Sequence, residues 1–215
     1  ANKQNYNFYI TTDFATSSKQ TADYVVISVW AYDVDKNWIW VDGIVERQLM
    51  NKTIDQLFDF ALEYQPQGVG VEISGQQQGF IAWIMNEMNY REQYFNLTHQ
   101  KGNPGIRPAT DKLARFNMVV PQFKAGKIFF PEELRKTKKM QTAMEQIALA
   151  TIDGIKGKDD FIDTVSMLQY MNPWVPNGIR PVEEKTTGPT GTQIWGSNGL
   201  GQSVVDDSNY SSYTV

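Results

Sequence analysis

The chain has 215 residues, 41% of them hydrophobic, and a net charge of −4, enough for one core of helices on a sheet but not for a second large domain. It contains no cysteine and a single histidine, His99, which excludes disulfides and thiolate zinc sites and disfavours a His-rich metal centre or a Ser-His-Asp triad. Neither a signal peptide nor a membrane-spanning run of roughly 20 apolar residues occurs, so a reducing cytoplasm is expected.

The first half reads as a meander of strands. NFYITTDF alternates and ends at Asp13 in the polar turn TSSKQTA. DYVVISVWAYD and NWIWVDGIVER are rich in β-branched and aromatic residues and are separated by the turn DVDKN, which completes three antiparallel strands. TIDQLFDFALEY has helical spacing with Thr53 as N-cap, and the turn QPQG then leads to the buried strand VGVEI, which carries Glu72. SGQQQGFIAWIMNEMNY opens a second helix, and REQYFNLTHQ is expected to be a fifth, edge strand.

A crossover helix between the third and fourth strands carries the chain over the meander, so the fourth strand pairs parallel with the first. Asp13 and Glu72 then share one sheet edge. Farther on come TDKLARFNMVVPQF, the strand signal GKIFFP and the long helical stretch EELRKTKKMQTAMEQIALA. The turn GKGKDD leads into FIDTVSMLQYM; if Asp159 or Asp160 caps that helix, Asp160 and Asp163 lie one turn apart on one face.

Charge is unevenly spread. Lys101 to Lys139 holds ten basic residues against three acidic ones, a surplus of seven, which leaves the remainder of the chain at −11. A basic surface beside an acidic pocket suits a protein that draws phosphates toward carboxylates, although Arg135 to Lys139 reads equally well as a solvated helix start. Clustered carboxylates repel one another unless cations lie between them. Asp13, Glu72 and the Asp159/Asp160/Asp163 helix start are therefore a candidate site for a pair of Mg²⁺ or Mn²⁺ ions acting on a phosphodiester.

In order along residues 5 to 172, TTDFATSSKQTADYVVISV, VGVEISGQQQGF, DKLARFNMVVPQFKAGKIFFPEE and KDDFIDTVSML resemble the nuclease domain of the large terminase subunit, the DNA-packaging motor protein of tailed bacteriophages. The more specific signals are Lys112-x-x-Arg115 ahead of a Phe-Phe-Pro strand, and Asp159-Asp160-x-x-Asp163 opening an apolar helix. The resemblance implies an α/β, ribonuclease-H-like mixed five-stranded sheet of three antiparallel and then two parallel strands, flanked by helices, with an added β/helix insertion. It implies a nuclease domain over 1–183 with a basic DNA-binding insertion at 101–139.

By position, the resemblance makes Asp13, Glu72 and Asp160 catalytic metal ligands and Asp163 an accessory one, with Asp159 able to exchange with Asp160 and Asp23 a weaker candidate. Lys112, Arg115, Lys124 and Lys127 are the implied phosphate contacts, which position a duplex without reading its sequence. Two Mg²⁺ or Mn²⁺ ions, 5′-phosphate and 3′-hydroxyl ends, and headful or concatemer cutting of double-stranded DNA in the host bacterial cytoplasm follow from the same resemblance. Large terminases also carry an ATPase domain, yet G-x-x-x-x-G-K-[ST] does not occur here. The chain, which begins with Ala, is therefore expected to be an isolated nuclease domain that uses no ATP, with the ATPase domain, portal and small terminase subunit as partners.

Other features are discounted. Trp30, Trp38 and Trp40 alternate as sheet-face packing residues, Met88, Met140 and Met144 read as core filler, His99 as a loop residue, and Gln76 to Gln78 as an exposed helix start. Residues 184–215 are rich in Gly, Ser and Thr and read as a flexible or partner-ordered tail, with Trp195 and Leu200 as possible anchors. Two rival classes share the acids: a resolvase- or transposase-like nuclease, and a non-catalytic DNA-docking domain. The second is disfavoured because buried carboxylates without metals are costly.

Overall fold

A computed structural model of the chain describes residues 3–14, 24–73, 78–108, 110–151, 154–155 and 157–177. Strands β1 (Asn7–Asp13), β2 (Val25–Tyr32) and β3 (Trp38–Glu46) form the expected antiparallel meander. Their side chains divide by parity, as a pleated strand requires. Val25, Ile27 and Val29 of β2 enter one apolar cluster, and Val26 and Trp30 the other. A strand buried on both faces reads as a near-continuous apolar run.

Helix α1 (Met50–Tyr64) carries the chain across to β4 (Gly68–Val71), which pairs parallel with β1 from Tyr9↔Gly68 to Thr12↔Val71. Leu49, not Thr53, occupies the N-cap of α1, and Thr53 is buried inside the first turn with its hydroxyl donating to the Leu49 carbonyl. Helix α2 (Gln78–Arg91) follows and contributes Ile81, Ile84 and Met88 to the cluster that α1 also covers.

The expected edge strand at 91–100 is replaced by two short pieces. Asn96 to Thr98 runs beside β4, with Val69 N–H donating to Asn96 O and Thr98 N–H to Val69 O. The chain then leaves the edge as a hairpin, β5 (His99–Gln100) and β6 (Asn103–Pro104), before Ile106 returns beside Glu72. Lys101 and Gly102 both take positive φ at the hairpin tip, the two-residue turn whose twist matches the strands and pulls the chain out of the sheet.

Helices α3 (Lys112–Asn117) and α4 (Val120–Lys124) lead to β7 (Ile128–Phe129), which pairs parallel with β3 and supplies the fifth strand of the sheet, in the order β4-β1-β2-β3-β7. The long helical stretch is divided: a 3-10 turn at Glu132–Leu134 precedes α5 (Lys138–Ala148), which Thr137 caps by accepting from Met140 N–H. A small hairpin of β8 (Ala150–Thr151) and β9 (Gly154–Ile155) comes before α6 (Asp160–Ser166).

Helix α6 is buried along its whole length against the second face of the sheet, where Ser28 and Thr164 share a hydroxyl hydrogen bond of 3.0 Å. Phe161 packs with Trp30, Trp40 and Phe130 there, and Trp30 Nε1 donates to Thr11 Oγ1 at 3.0 Å. The tryptophans are core residues, as their alternation indicates. Among the described residues no helix is long and apolar enough to cross a membrane. The division at residue 183, the 184–215 tail with Trp195 and Leu200, Asp23, and Gln76 and Gln77 lie outside the described residues.

Candidate active site

Asp13 is the last residue of β1, and Glu72 comes directly after β4. Because Thr12 pairs with Val71, the two acids leave adjacent parallel strands at the same level, and Glu72 N–H donates to Thr12 O at 3.3 Å. Asp160 and Asp163 stand three residues apart in the first turn of α6, the helix packed over this end of the sheet. Asp13 is half-buried, whereas Glu72, Asp160 and Asp163 are buried.

Crowding shows in their protonation. Burial, and then the carboxylates of Asp163, Glu72 and Asp160, push Asp13 well above the ordinary aspartate range. Glu72 is raised by burial and by Asp163, although Arg115 opposes the shift. Asp163 is raised by burial despite hydrogen bonding and attraction from Lys112. Asp13 feels its three acidic neighbours together, which ties residues from β1, β4 and α6 into one electrostatic unit.

Two cations stand inside that unit. Arg115 is only 3% exposed; its Nη1 donates to Glu72 Oε2 at 3.1 Å and its Nη2 to Asp163 Oδ1 at 2.9 Å. Lys112 Nζ donates to Asp159 Oδ1 at 2.9 Å and lies 2.7 Å from Asp163 Oδ2. Burial pulls the lysine pKa down, but the hydrogen bonds to Asp163 and Asp159 outweigh it and hold the ammonium above its ordinary value. The local sequence explains the aim: Asp111 caps α3 by accepting from Ala114 N–H at 2.9 Å, and residues at i and i+3 share a helix face.

These contacts correct part of the expected DNA surface. Arg115 is enclosed between two carboxylates rather than exposed at the surface. Lys127 is remote: its carbonyl accepts from Trp38 N–H at the start of β3, and its Nζ donates to Asp35 O and Asn37 Oδ1 in the β2–β3 turn. That turn lies at the opposite end of the sheet from Asp13, about 20 Å away at the usual rise per residue of a strand. Lys124 is exposed at the end of α4, next to Lys127, whose N–H donates to Gln122 O. Lys112 alone of the four adjoins the acids with its side chain partly in solvent, at 47%.

Asp159 takes the N-cap position of α6 but makes no side-chain cap hydrogen bond. Gln146 of α5 does that work: its Oε1 accepts from Phe161 N–H at 2.7 Å. The visible signal is a polar residue on the buried face that also carries Met140, Ala143 and Ile147. His99 is exposed, with Nδ1 2.7 Å from the Leu97 carbonyl oxygen.

Carboxylate oxygens are the hard donors that Mg²⁺ and Mn²⁺ prefer, and the acids here outnumber Lys112 and Arg115. Burial first, and then repulsion from Asp163, Glu72 and Asp160, raise the Asp13 carboxyl. In donor type and charge the residues fit a divalent ion. As arranged, with Arg115 and Lys112 between Glu72, Asp159 and Asp163, no group of three or more acids or histidines among the described residues is spaced to hold one.

The mixed sheet flanked by helices is shared with a terminase nuclease domain. Against the human cytomegalovirus terminase nuclease domain, Mn soaked and inhibitor bound, the chain is 14% identical over 78% of its own length and 84% of the other's, with a TM-score of 0.51. Against the large terminase nuclease from thermophilic phage G20c with bound magnesium, the values are 15%, 75%, 79% and 0.49. The fowlpox virus Holliday junction resolvase is 11% identical over 76% of this chain and 96% of that one, at a TM-score of 0.42. No protein-family model and no curated protein matches the sequence.

Proposed function

We propose that the chain is a metal-dependent endonuclease that cuts double-stranded DNA with little sequence specificity, as the headful or concatemer-cutting domain of a viral DNA-packaging terminase. The observation that carries this reading is the convergence of carboxylates from β1, the end of β4 and the first turn of α6: burial raises Asp13, Glu72 and Asp163, with Asp163, Glu72 and Asp160 adding to the shift of Asp13 and Asp163 to that of Glu72. A cluster with that surplus of negative charge suits added cations. The fold shared with a terminase nuclease domain agrees with it.

In this reading Asp13, Glu72 and Asp160 are the principal ligands of two Mg²⁺ or Mn²⁺ ions, with Asp163 accessory and Asp159 beside it. When bound, the ions supply the Lewis acidity that activates a water and stabilises the leaving 3′ oxygen, so the ends carry 5′-phosphate and 3′-hydroxyl. Arg115 holds Glu72 and Asp163 in fixed relation through its two ion pairs. Lys112, at the solvent side of the cluster, meets a phosphate oxygen and orients the backbone over the acids. Such contacts carry no base readout, which accounts for low sequence specificity.

The duplex is the substrate. An ATPase domain, portal and small terminase subunit are the partners of the packaging role, in the cytoplasm of a bacterial host. Plasmid nicking tests the reading: the wild-type chain converts supercoiled DNA to open-circular and linear forms in Mn²⁺ or Mg²⁺ and not in EDTA, whereas Asp13→Ala, folded by circular dichroism, does not. Undiminished nicking by Asp13→Ala contradicts the site assignment.

A further inference from the structure

We propose that the β5–β6 hairpin and the residue that leaves it, Arg107, form the phosphate-backbone contact that seats duplex DNA beside the acid cluster; the inference rests on the nuclease reading above and adds where its substrate is held. Ile106 forms a parallel bridge with Glu72, its N–H donating to Val71 O and its carbonyl accepting from Ile73 N–H, both at 2.8 Å. Adjacent strands lie about 4.8 Å apart, so Arg107, one residue farther along, leaves the sheet at the level of the acids.

Arg107 is exposed, and its position is firmly held. Its N–H donates to Gln100 Oε1 at 2.6 Å, which ties it to the hairpin. Gly105, just before, takes φ +86°, and a Cβ there would come within 2.1 Å of the Ile73 side chain. The guanidinium itself has one contact among the described residues, Nη1 to Pro104 O at 3.4 Å, which leaves most of its five donors toward solvent. At the tip, Lys101 is exposed in a two-residue turn that Asn103 steadies by donating to its carbonyl.

From Gln93 to Thr110 the chain holds Lys101 and Arg107 and no acidic residue. Arg115 is buried, and Lys124 and Lys127 lie toward the far end of the sheet. Of the basic residues expected to attract phosphates, Lys112 pairs with Asp159 and Asp163 of the α6 start, and Arg107 directly follows the residue that bridges Glu72, both exposed. Phosphate is the ligand chemistry because an exposed guanidinium on an anchored backbone and an exposed ammonium at the hairpin tip suit anionic oxygens.

The test is anisotropy of a labelled duplex of about 30 base pairs in EDTA, across a salt series, with wild type, Lys101→Gln/Arg107→Gln and Lys124→Gln/Lys127→Gln, each also assayed for Mn²⁺-dependent nicking. Each lost contact lowers the slope of log K against log salt by about 0.9. The hairpin double variant is expected to lose about 2 in slope, while the Lys124/Lys127 variant binds as wild type. An unchanged slope in the hairpin variant, or an equal loss in the Lys124/Lys127 variant, overturns the proposal. If the hairpin variant loses slope but wild type cuts nothing in any metal, the contact stands and the nuclease reading falls. If wild type cuts and the hairpin variant binds unchanged, the reverse holds.

Discussion

Arg115 and Asp163 form an ion pair of 2.9 Å in which the two side chains are 3% and 2% exposed, and the second arm of the same guanidinium reaches Glu72. Removing one member of a buried pair leaves an uncompensated buried charge, a loss of about 3–5 kcal/mol. Arg115→Ala is therefore expected to unfold at markedly lower urea concentration than wild type, with the strand-end and helix acids no longer held in register. A loss no larger than that of an exposed substitution, such as Lys124→Ala, would remove Arg115 from its place as the internal counter-ion.

The acid cluster makes stability depend on pH. Asp13, Glu72 and Asp163 are all held above their ordinary values, by burial first. In the unfolded chain these groups ionise near pH 4, whereas in the folded chain they keep their protons to higher pH. Their contribution to stability is fully present below pH 4 and is lost as pH rises through the raised folded values. Asp13→Asn removes one such group, so its melting temperature relative to wild type should climb as pH increases from about 4 through neutrality. A gap that is constant or shrinks over that range would show that Asp13 is not crowded as described.

Gln146 offers a third test, because its side-chain oxygen stands where a cap residue normally would. Loss of a helix cap costs about 0.5–2 kcal/mol. Gln146→Leu should destabilise by that amount and also weaken Mn²⁺ binding, since the turn it secures carries Asp160 and Asp163. Gln146→Glu retains the acceptor oxygen but places a carboxyl at a buried position, so the two variants are compared at acid pH, where a protonated Glu should recover most of the lost stability. Equal losses in both variants would indicate that packing, rather than the hydrogen bond to Phe161 N–H, is what Gln146 supplies.

The core face of α6 gives a simpler expectation. Phe161 is fully buried and meets Trp30, Trp40 and Phe130, and truncating such a ring leaves a cavity worth about 3–5 kcal/mol. Phe161→Ala should lower the urea midpoint accordingly, and Phe161→Leu by much less. Similar midpoints for wild type and Phe161→Ala would contradict the packing of α6 on the sheet.

Much of this arrangement is legible in the residues. Alternation in NFYITTDF and the short apolar run VGVEI, with a helix between them, suffice to put Asp13 and Glu72 on neighbouring strands, because a crossover connection must return the chain parallel to the first strand. Helical spacing in FIDTVSML similarly puts Asp160 and Asp163 on one face. The hidden features are tertiary. A basic residue on a six-residue helix carries no sign of whether it faces solvent or an acid, so the burial of Arg115 could not be read. Lys127 looks like part of one basic stretch until β7 pairs with the beginning of β3 and removes it to the other end of the sheet. Strands of two residues, such as β5 and β6, fall below what periodicity resolves, whereas β7 lies in the strand signal GKIFFP.

The most direct measurement of the central claim is the anomalous density of a Mn²⁺-soaked crystal of the chain. Two ions are expected at the carboxyl edge of β1 and β4, held by Asp13, Glu72 and Asp160 or Asp163, with Arg115 or Lys112 displaced from at least one of its acids. Manganese bound elsewhere, with Arg115 still joining Glu72 to Asp163 and no ion against Asp13, would contradict it.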